Sequence, residues 1–386
     1  MAATDRQPAL ADAASEVAAE LRDAELAHLV ASADGDGLAA AGLLAAACRA
    51  TGVPFHVRVV RTAAEADSRL ADRDDSATAV VVGVDAAGET TLGTDGAVSP
   101  LAFEVAAALG AEPDPVTALA GVVAADAVPS QVAPDLLERA ALERAALERT
   151  PGVATPTDDL ADGLAHCGLV HAPFSGDVDA AGEVLRDLGL ADATAETLDG
   201  ADAKRLASLV ALAAVDAPEA TPMAATAVER ALRPHRTGGP FVTLAGYADV
   251  LDALAERAPG LGVALAAGGS DAEPALEAWR EHGRAAHAAV ASAETARYDG
   301  VLVARTDGPL AAVARLLRDF RSPEPVVLAV GEGEAAAASL DDPVSGPLAA
   351  AAQAGRGSSS ARGRRGVLTF DPDRTERVVD AFREAV

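Results

Sequence analysis

The sequence predicts an α/β protein: an N-terminal parallel-sheet domain over residues 1–130, a helical middle region over 131–240, and a smaller C-terminal α/β domain over 241–386. Three observations predict it. Short β-branched runs alternate with Ala/Leu-rich helical stretches in the first third, the pattern then turns helical, and alternation returns in the last third. Strands that alternate with helices imply right-handed βαβ units and hence a parallel sheet.

Taken in order, LAHLVAS (26–32) reads as a buried strand and GLAAAGLLAAACRATG as a helix ended by Gly52. FHVRVV (55–60) is a second strand, AAEADSRLADR a second helix, and ATAVVVGVD (77–85) a third strand that ends on a carboxylate. Two further helices, PLAFEVAAALG and PVTALAGVVAADAV, carry the domain to about Pro129. From Gln131 onward LLERAALERAALERT repeats a Glu-Arg-Ala-Ala-Leu phrase, the pattern of a solvated helix laced by acid–base pairs. Pro151, Pro156 and TPTDD break that helix, a second helical region extends to about Arg236, and TGGP (237–240) reads as a hinge. In the last third GLGVALAAGG is expected as a strand and EPALEAWREHGRAAHAAVASAETARY as one long helix. DGVLVART, PVVLAVGEG and VLTFD follow as strands, with GPLAAVARLLRDF and a terminal segment from Pro372 as helices. AGRGSSSARGRRG is expected between elements, where backbone N–H groups can face a ligand.

Composition narrows the class. The chain has 386 residues, with 31 basic against 59 acidic side chains and a net charge of -28. Half of the residues are apolar, which excludes a disordered acidic tail, but only 3% are aromatic, so Ala, Val and Leu must fill the core. Lys204 is the single lysine, and isoleucine and asparagine are absent, as in GC-rich coding. With the acid excess, this resembles the proteins of salt-in halophiles. At about 1 M salt the Debye length is only about 3 Å, so the sign of the net charge does not exclude a nucleic-acid partner. Cys48 and Cys167 lie far apart with no C-x-x-C pair, which excludes a disulfide framework and a cysteine zinc site. With no apolar run of spanning length and no leader pattern, a cytoplasmic protein without a membrane partner is expected.

The most informative segment is SADGDG (Ser32 to Gly37), at a strand-to-helix junction. Ligands of open α/β sheets bind at the carboxyl ends of strands, where paired carboxylates can hold a divalent cation against a phosphate. Asp85, ending another strand, would project from the same edge, and Asp126 could close the group. The competing reading is a helix cap, which an Asp-Gly turn satisfies equally well. An EF-hand loop is disfavoured, because the position of its bidentate glutamate is apolar here and no helix precedes the segment.

The order strand, D-x-D-G, helix, then VVVGVD, then SPLAFEVAAALG and ALAGVVAADAVPS, resembles the DHH phosphoesterase superfamily, in particular its RecJ-like exonucleases and their archaeal GINS-associated relatives. The family's H-x-D-x-D-G motif falls on Ser32, Asp34, Asp36 and Gly37, its second-motif aspartate on Asp85 and its fourth-motif aspartate on Asp126. The resemblance implies that these four aspartates are catalytic and hold Mn2+ or Mg2+. The C-terminal third resembles the DHH-associated domain, whose glycine-rich nucleic-acid motif corresponds to GRGSSSARG (355–363). Three departures stand out. Ser32 replaces the first-motif histidine, AAGETTLGTDGAVS holds no D-H-H and offers only Asp95, and Ser358 to Ser360 replace the histidine of the glycine-rich motif. A hydroxyl is a much poorer manganese ligand than an imidazole, and a two-metal phosphodiesterase needs several ligands. His28 shares strand parity with Ser32 but lies about 13 Å away along the strand, too far to substitute.

Arg356, Arg362, Arg364 and Arg365 form the basic concentration of an acidic chain. With Gly355, Gly357, Ser358 and Ser359 they are expected to contact phosphates, the glycines letting backbone approach and the arginines forking onto phosphate oxygens. With no aromatics nearby, recognition should be of backbone rather than of bases. His166, Cys167 and His171 read as a structural turn region, RSPEP (321–325) as a rigid lead into a strand, and His282 and His287, five apart, as surface or satisfied histidines. The expected function is a RecJ-like protein of DNA replication or repair that binds single-stranded DNA or RNA. Its metal site is degenerate and its role that of a scaffold, with GINS and the MCM helicase as the partners implied by the resemblance. The alternative is an active Mn-dependent 5′-to-3′ single-strand exonuclease or oligonucleotide phosphodiesterase.

Overall fold

A computed structural model of the chain describes residues 3–74, 76–86, 90–93, 96–144 and 147–386. Asp95, and Ala145 and Ala146 of the repeated phrase, lie outside the described residues. In chain order the elements are α1 (Ala3–Asp23), β1 (Ala27–Ser32), α2 (Gly35–Thr51), β2 (Phe55–Val60), α3 (Ala63–Ala71), β3 (Thr78–Val82), β4 (Thr90–Leu92), α4 (Ser99–Leu109), α5 (Pro115–Ala124), α6 (Pro129–Val132) and α7 (Pro134–Arg144). There follow α8 (Leu160–His166), α9 (Val178–Asp187), α10 (Gly200–Val215), α11 (Met223–Val228), α12 (Leu244–Arg257), α13 (Pro259–Ala266) and α14 (Ala272–Ser292). The chain closes with β5 (Glu294–Tyr298), β6 (Val301–Arg305), α15 (Leu310–Leu316), β7 (Val326–Val330), β8 (Glu334–Ser339), α16 (Ser345–Gly355), β9 (Ser358–Arg362), β10 (Arg365–Thr369) and α17 (Thr375–Ala385). Two compact units result: residues 1–145 with 254–275, and residues 146–253 with 276–386.

The first unit is built on a parallel sheet of order β2-β1-β3-β4. Every residue of β1 is buried, as a central strand covered on both faces requires, whereas β2 at the edge alternates. The strand expected to end on Asp85 stops at Val82, because Gly83 adopts φ +69° and turns the chain out of the sheet. Helix α2 is buried on almost all sides, packed against β1, α4, α5 and α13. GLGVALAAGG is therefore not the strand its glycine flanks suggested but α13. Its small residues serve close helix packing: a Cβ on Gly42 would lie 2.3 Å from the Cβ of Ala266, and one on Gly262 would lie 2.5 Å from Leu38. β4 and α1 were not anticipated.

The second unit carries a mixed sheet of order β5-β6-β7-β8-β10-β9, parallel between β6 and β7 and antiparallel elsewhere. Val303, Leu328, Leu348, Leu368, Val378 and Phe382 pack in one core between this sheet and helices α16 and α17. The helix expected to run to Tyr298 ends at Ser292, and the Glu-Thr-Ala-Arg-Tyr stretch becomes edge strand β5. Pairing with β6 overrides a residue set that favours helix. For the same reason the alanine run of β8, buried between β7 and β10, gave no strand signal. The Gly-Ser-Arg segment lies not between elements but in edge strand β9, hairpinned to β10 through a turn at Gly363, φ +56°.

Candidate functional site

β1 and β3 are neighbouring parallel strands in which Ala31 pairs with Val82, so Asp34 and Asp85 follow strands ending at one edge of the sheet. Asp34 is the extended residue before α2, and its Oδ1 accepts the Gly37 N–H at 2.8 Å, the helix cap that an Asp-Gly turn provides. Asp36 is fully buried; its Oδ2 accepts the Val98 N–H at 2.7 Å and its Oδ1 the Ser99 N–H at 3.0 Å. α4 has no side-chain cap of its own, so this carboxylate supplies the acceptors and the negative charge its N-terminus favours. α5 comes so close that a Cβ on Gly121 would lie 2.8 Å from Asp36 Oδ1. Asp85 is exposed three residues beyond β3. Asp126 occupies the left-handed position (φ +56°) just after α5, where the Ala127 N–H returns to the Val122 carbonyl and ends the helix.

Whether these residues suit a metal follows from their partners. Both oxygens of Asp36 are engaged by backbone N–H groups, and Ser32, where the resemblance leads one to expect a histidine, holds a buried hydroxyl with no hydrogen-bond partner among the described residues. Among those residues no group of three or more His, Cys, Asp or Glu is placed to hold a metal ion. Among the described residues these donors do not make up a two-metal centre.

The eight residues expected to contact nucleic acid come together in the second unit, at the end of α16 and along the β9–β10 hairpin. The glycines, however, answer to packing. A Cβ on Gly357 would lie 1.6 Å from the Thr369 carbonyl oxygen, and one on Gly355 would lie 2.6 Å from Phe370. Arg356 takes the left-handed conformation that terminates α16, and its side chain is exposed. Arg364 donates to the Leu340 carbonyl at 2.8 Å, and Arg365 pairs with Asp252 at 3.6 Å. Arg364 and Arg365 thus also brace the hairpin.

Sequence reasoning missed a buried polar network in the same unit. Trp279 Nε1 donates to Asp249 Oδ2 at 2.7 Å, the Gly168 N–H donates to the same oxygen at 2.9 Å, and Arg315 lies 3.5 Å from Asp249 and 3.1 Å from Asp252. The lone tryptophan, which needs an acceptor when buried, was the available signal. His282 and His287 are buried rather than on the surface. His287 Nε2 meets the Cys167 carbonyl at 3.1 Å, so it carries the proton; its Nδ1 must then accept from His171 Nδ1 at 3.0 Å. Burial pushes His171 down to about 4 and His287 to about 3. The same burial raises the Cys167 thiol far above its usual range, so it is no nucleophile. Among the described residues no helix is long and apolar enough to cross a membrane.

Residues 293–384 match the family described as the C-terminal domain of uncharacterized protein rrnAC1427. The chain is 46% identical over 389 residues to uncharacterized protein rrnAC1427 of Haloarcula marismortui, covering all of both chains. Among solved structures it is similar to CDC45 from Entamoeba histolytica, with a TM-score of 0.58 at 10% identity over 97% of this chain and 99% of that one. Exonuclease RecJ bound to manganese gives a TM-score of 0.45 at 15% identity over 97% of this chain and 94% of that one. The chain belongs to the family of the Haloarcula marismortui protein rrnAC1427, and its fold is similar to that of CDC45 from Entamoeba histolytica.

Proposed function

We propose that this protein binds single-stranded nucleic acid as a non-catalytic scaffold of DNA replication or repair, in the salt-rich cytoplasm to which its acidic composition is suited. The observation that carries the reading is Asp36: a carboxylate whose two oxygens hold the N-terminus of α4 is engaged in folding. The β9–β10 hairpin, in the second unit, is the contact surface. Its arginines fork onto phosphate oxygens without reading bases. In molar salt long-range attraction is screened, so affinity rests on these short contacts. GINS and the MCM helicase are the partners this reading assigns.

The test is hydrolysis of 5′-labelled single-stranded DNA with manganese in concentrated KCl, comparing the wild type with Asp34→Ala/Asp85→Ala, which leaves the Asp36 cap intact. Equal background in both proteins is expected. A robust activity lost in the variant would overturn the scaffold reading and establish an exonuclease using Mn2+ or Mg2+ on Asp34, Asp36, Asp85 and Asp126. Binding is tested with Arg356→Ala/Arg362→Ala, which keeps the Arg364 and Arg365 braces; an affinity loss of about tenfold and a shallower salt dependence are expected. Unchanged affinity would remove the hairpin from the interface. A pull-down in molar KCl that recovers neither GINS nor MCM subunits would count against the replisome role.

A further inference from the structure

A cavity of about 460 Å3 opens at the outer edge of β2 in the first unit, walled by Val57 and Val59 of the strand and by Val263 and the first turn of α13. Its charged lining residues are Arg58 and Arg69. Among the described residues no aspartate or glutamate lines it, although acids outnumber bases 59 to 31 in the chain. An acid-free pocket with two arginines is thus a local inversion of the protein's charge.

The state of the two guanidinium groups sharpens the point. Among the described residues Arg58 has no carboxylate or carbonyl partner; its neighbours are the rings of His28 and His56, which stack at 5.4 Å. Burial, with Arg58 among the further causes, lowers the pKa of both rings, so they are held neutral and form no charge pair with Arg58. His28 Nε2 is buried with no hydrogen-bond partner among the described residues. Among the described residues Arg69 makes only an exposed one-turn pair with Glu65 at 3.5 Å, a weak interaction, while Glu65 also accepts the Arg61 N–H at 3.0 Å.

We propose that this cavity is a binding site for a phosphate group, of a size to take a mononucleotide. Pockets of roughly 300–1,000 Å3 hold small ligands, and arginine is suited to phosphate because its planar fork donates two parallel N–H bonds. Val57, Val59 and Val263 would face the apolar part of such a ligand. The site lies in the first unit and stands independently of strand binding by the β9–β10 hairpin in the second.

The experiment is calorimetric titration of the full chain in molar KCl with 5′-AMP, adenosine and inorganic phosphate. One AMP per chain is expected, with no adenosine binding and an affinity at least tenfold weaker in Arg58→Ala and in Arg69→Ala. Phosphate displacing AMP at equal affinity would identify the free anion as the occupant, whereas tighter AMP would identify a nucleotide; both uphold a phosphate site. Adenosine binding as tightly as AMP, no binding of AMP or phosphate, or undiminished AMP affinity in both variants would overturn it. Strand binding measured on the same preparations separates this site from the hairpin, because loss of AMP binding with unchanged strand affinity touches the first alone.

Discussion

Asp36 Oδ2 accepts the backbone N–H of Val98 at 2.7 Å, joining the first turn of α2 to the start of a helix 62 residues away in sequence. Removing this carboxylate strands two buried N–H groups. Asp36→Ala should therefore destabilise the first unit by roughly 2–4 kcal/mol, against about 1 kcal/mol for loss of the helix cap in Asp34→Ala. Urea unfolding in concentrated KCl measures both. Equal and small effects would mean that α4 does not depend on Asp36.

Two glycines of the hairpin separate packing from conformational freedom. Gly357→Ala drives a methyl group into the Thr369 carbonyl oxygen, with Phe370 also within 3 Å, and should unfold the hairpin or lower the melting temperature severely. Gly363→Ala meets nothing within 4 Å and pays only for its φ of +56°, about 1 kcal/mol. Thermal melts compare them. A mild Gly357→Ala would show that β10 can shift away from it.

The buried pair His171 and His287 makes stability depend on pH. Both folded pKa values lie below the ordinary 6.5, so the unfolded chain binds more protons as the solution is acidified. Their contribution is fully present above pH 6.5 and is lost as pH falls toward about 4. From pH 6.5 to 5 the loss should be about 2 kcal/mol per histidine. Urea midpoints at pH 7 and pH 5 check it, with His171→Gln flattening the dependence; an unchanged slope in that variant would place the effect elsewhere.

Local pattern carried the first three strands and the helices between them, because a buried parallel strand needs a continuous apolar run and α2 needs small residues on every face. It failed at α13, β5 and β8. Glycine and alanine are compatible with close helix packing and with a buried strand alike, and only the neighbour decides between them. Among site residues, the grouping of the arginines was legible because they are adjacent in sequence. The Asp249–Trp279–Arg315 network and the Arg58–Arg69 cavity were not, because their members come from distant segments.

By itself the sequence determined the α/β class, the acidic small-residue composition, and the turn that places Asp34 and Asp36 after a strand. The tertiary structure decided what those carboxylates do. A carboxylate can ligate a cation or cap a helix, and local sequence favours neither. The choice is made when α4, more than sixty residues onward, presents two N–H groups to Asp36. Burial then makes each unsatisfied N–H costly, so the cap is held as firmly as any core contact.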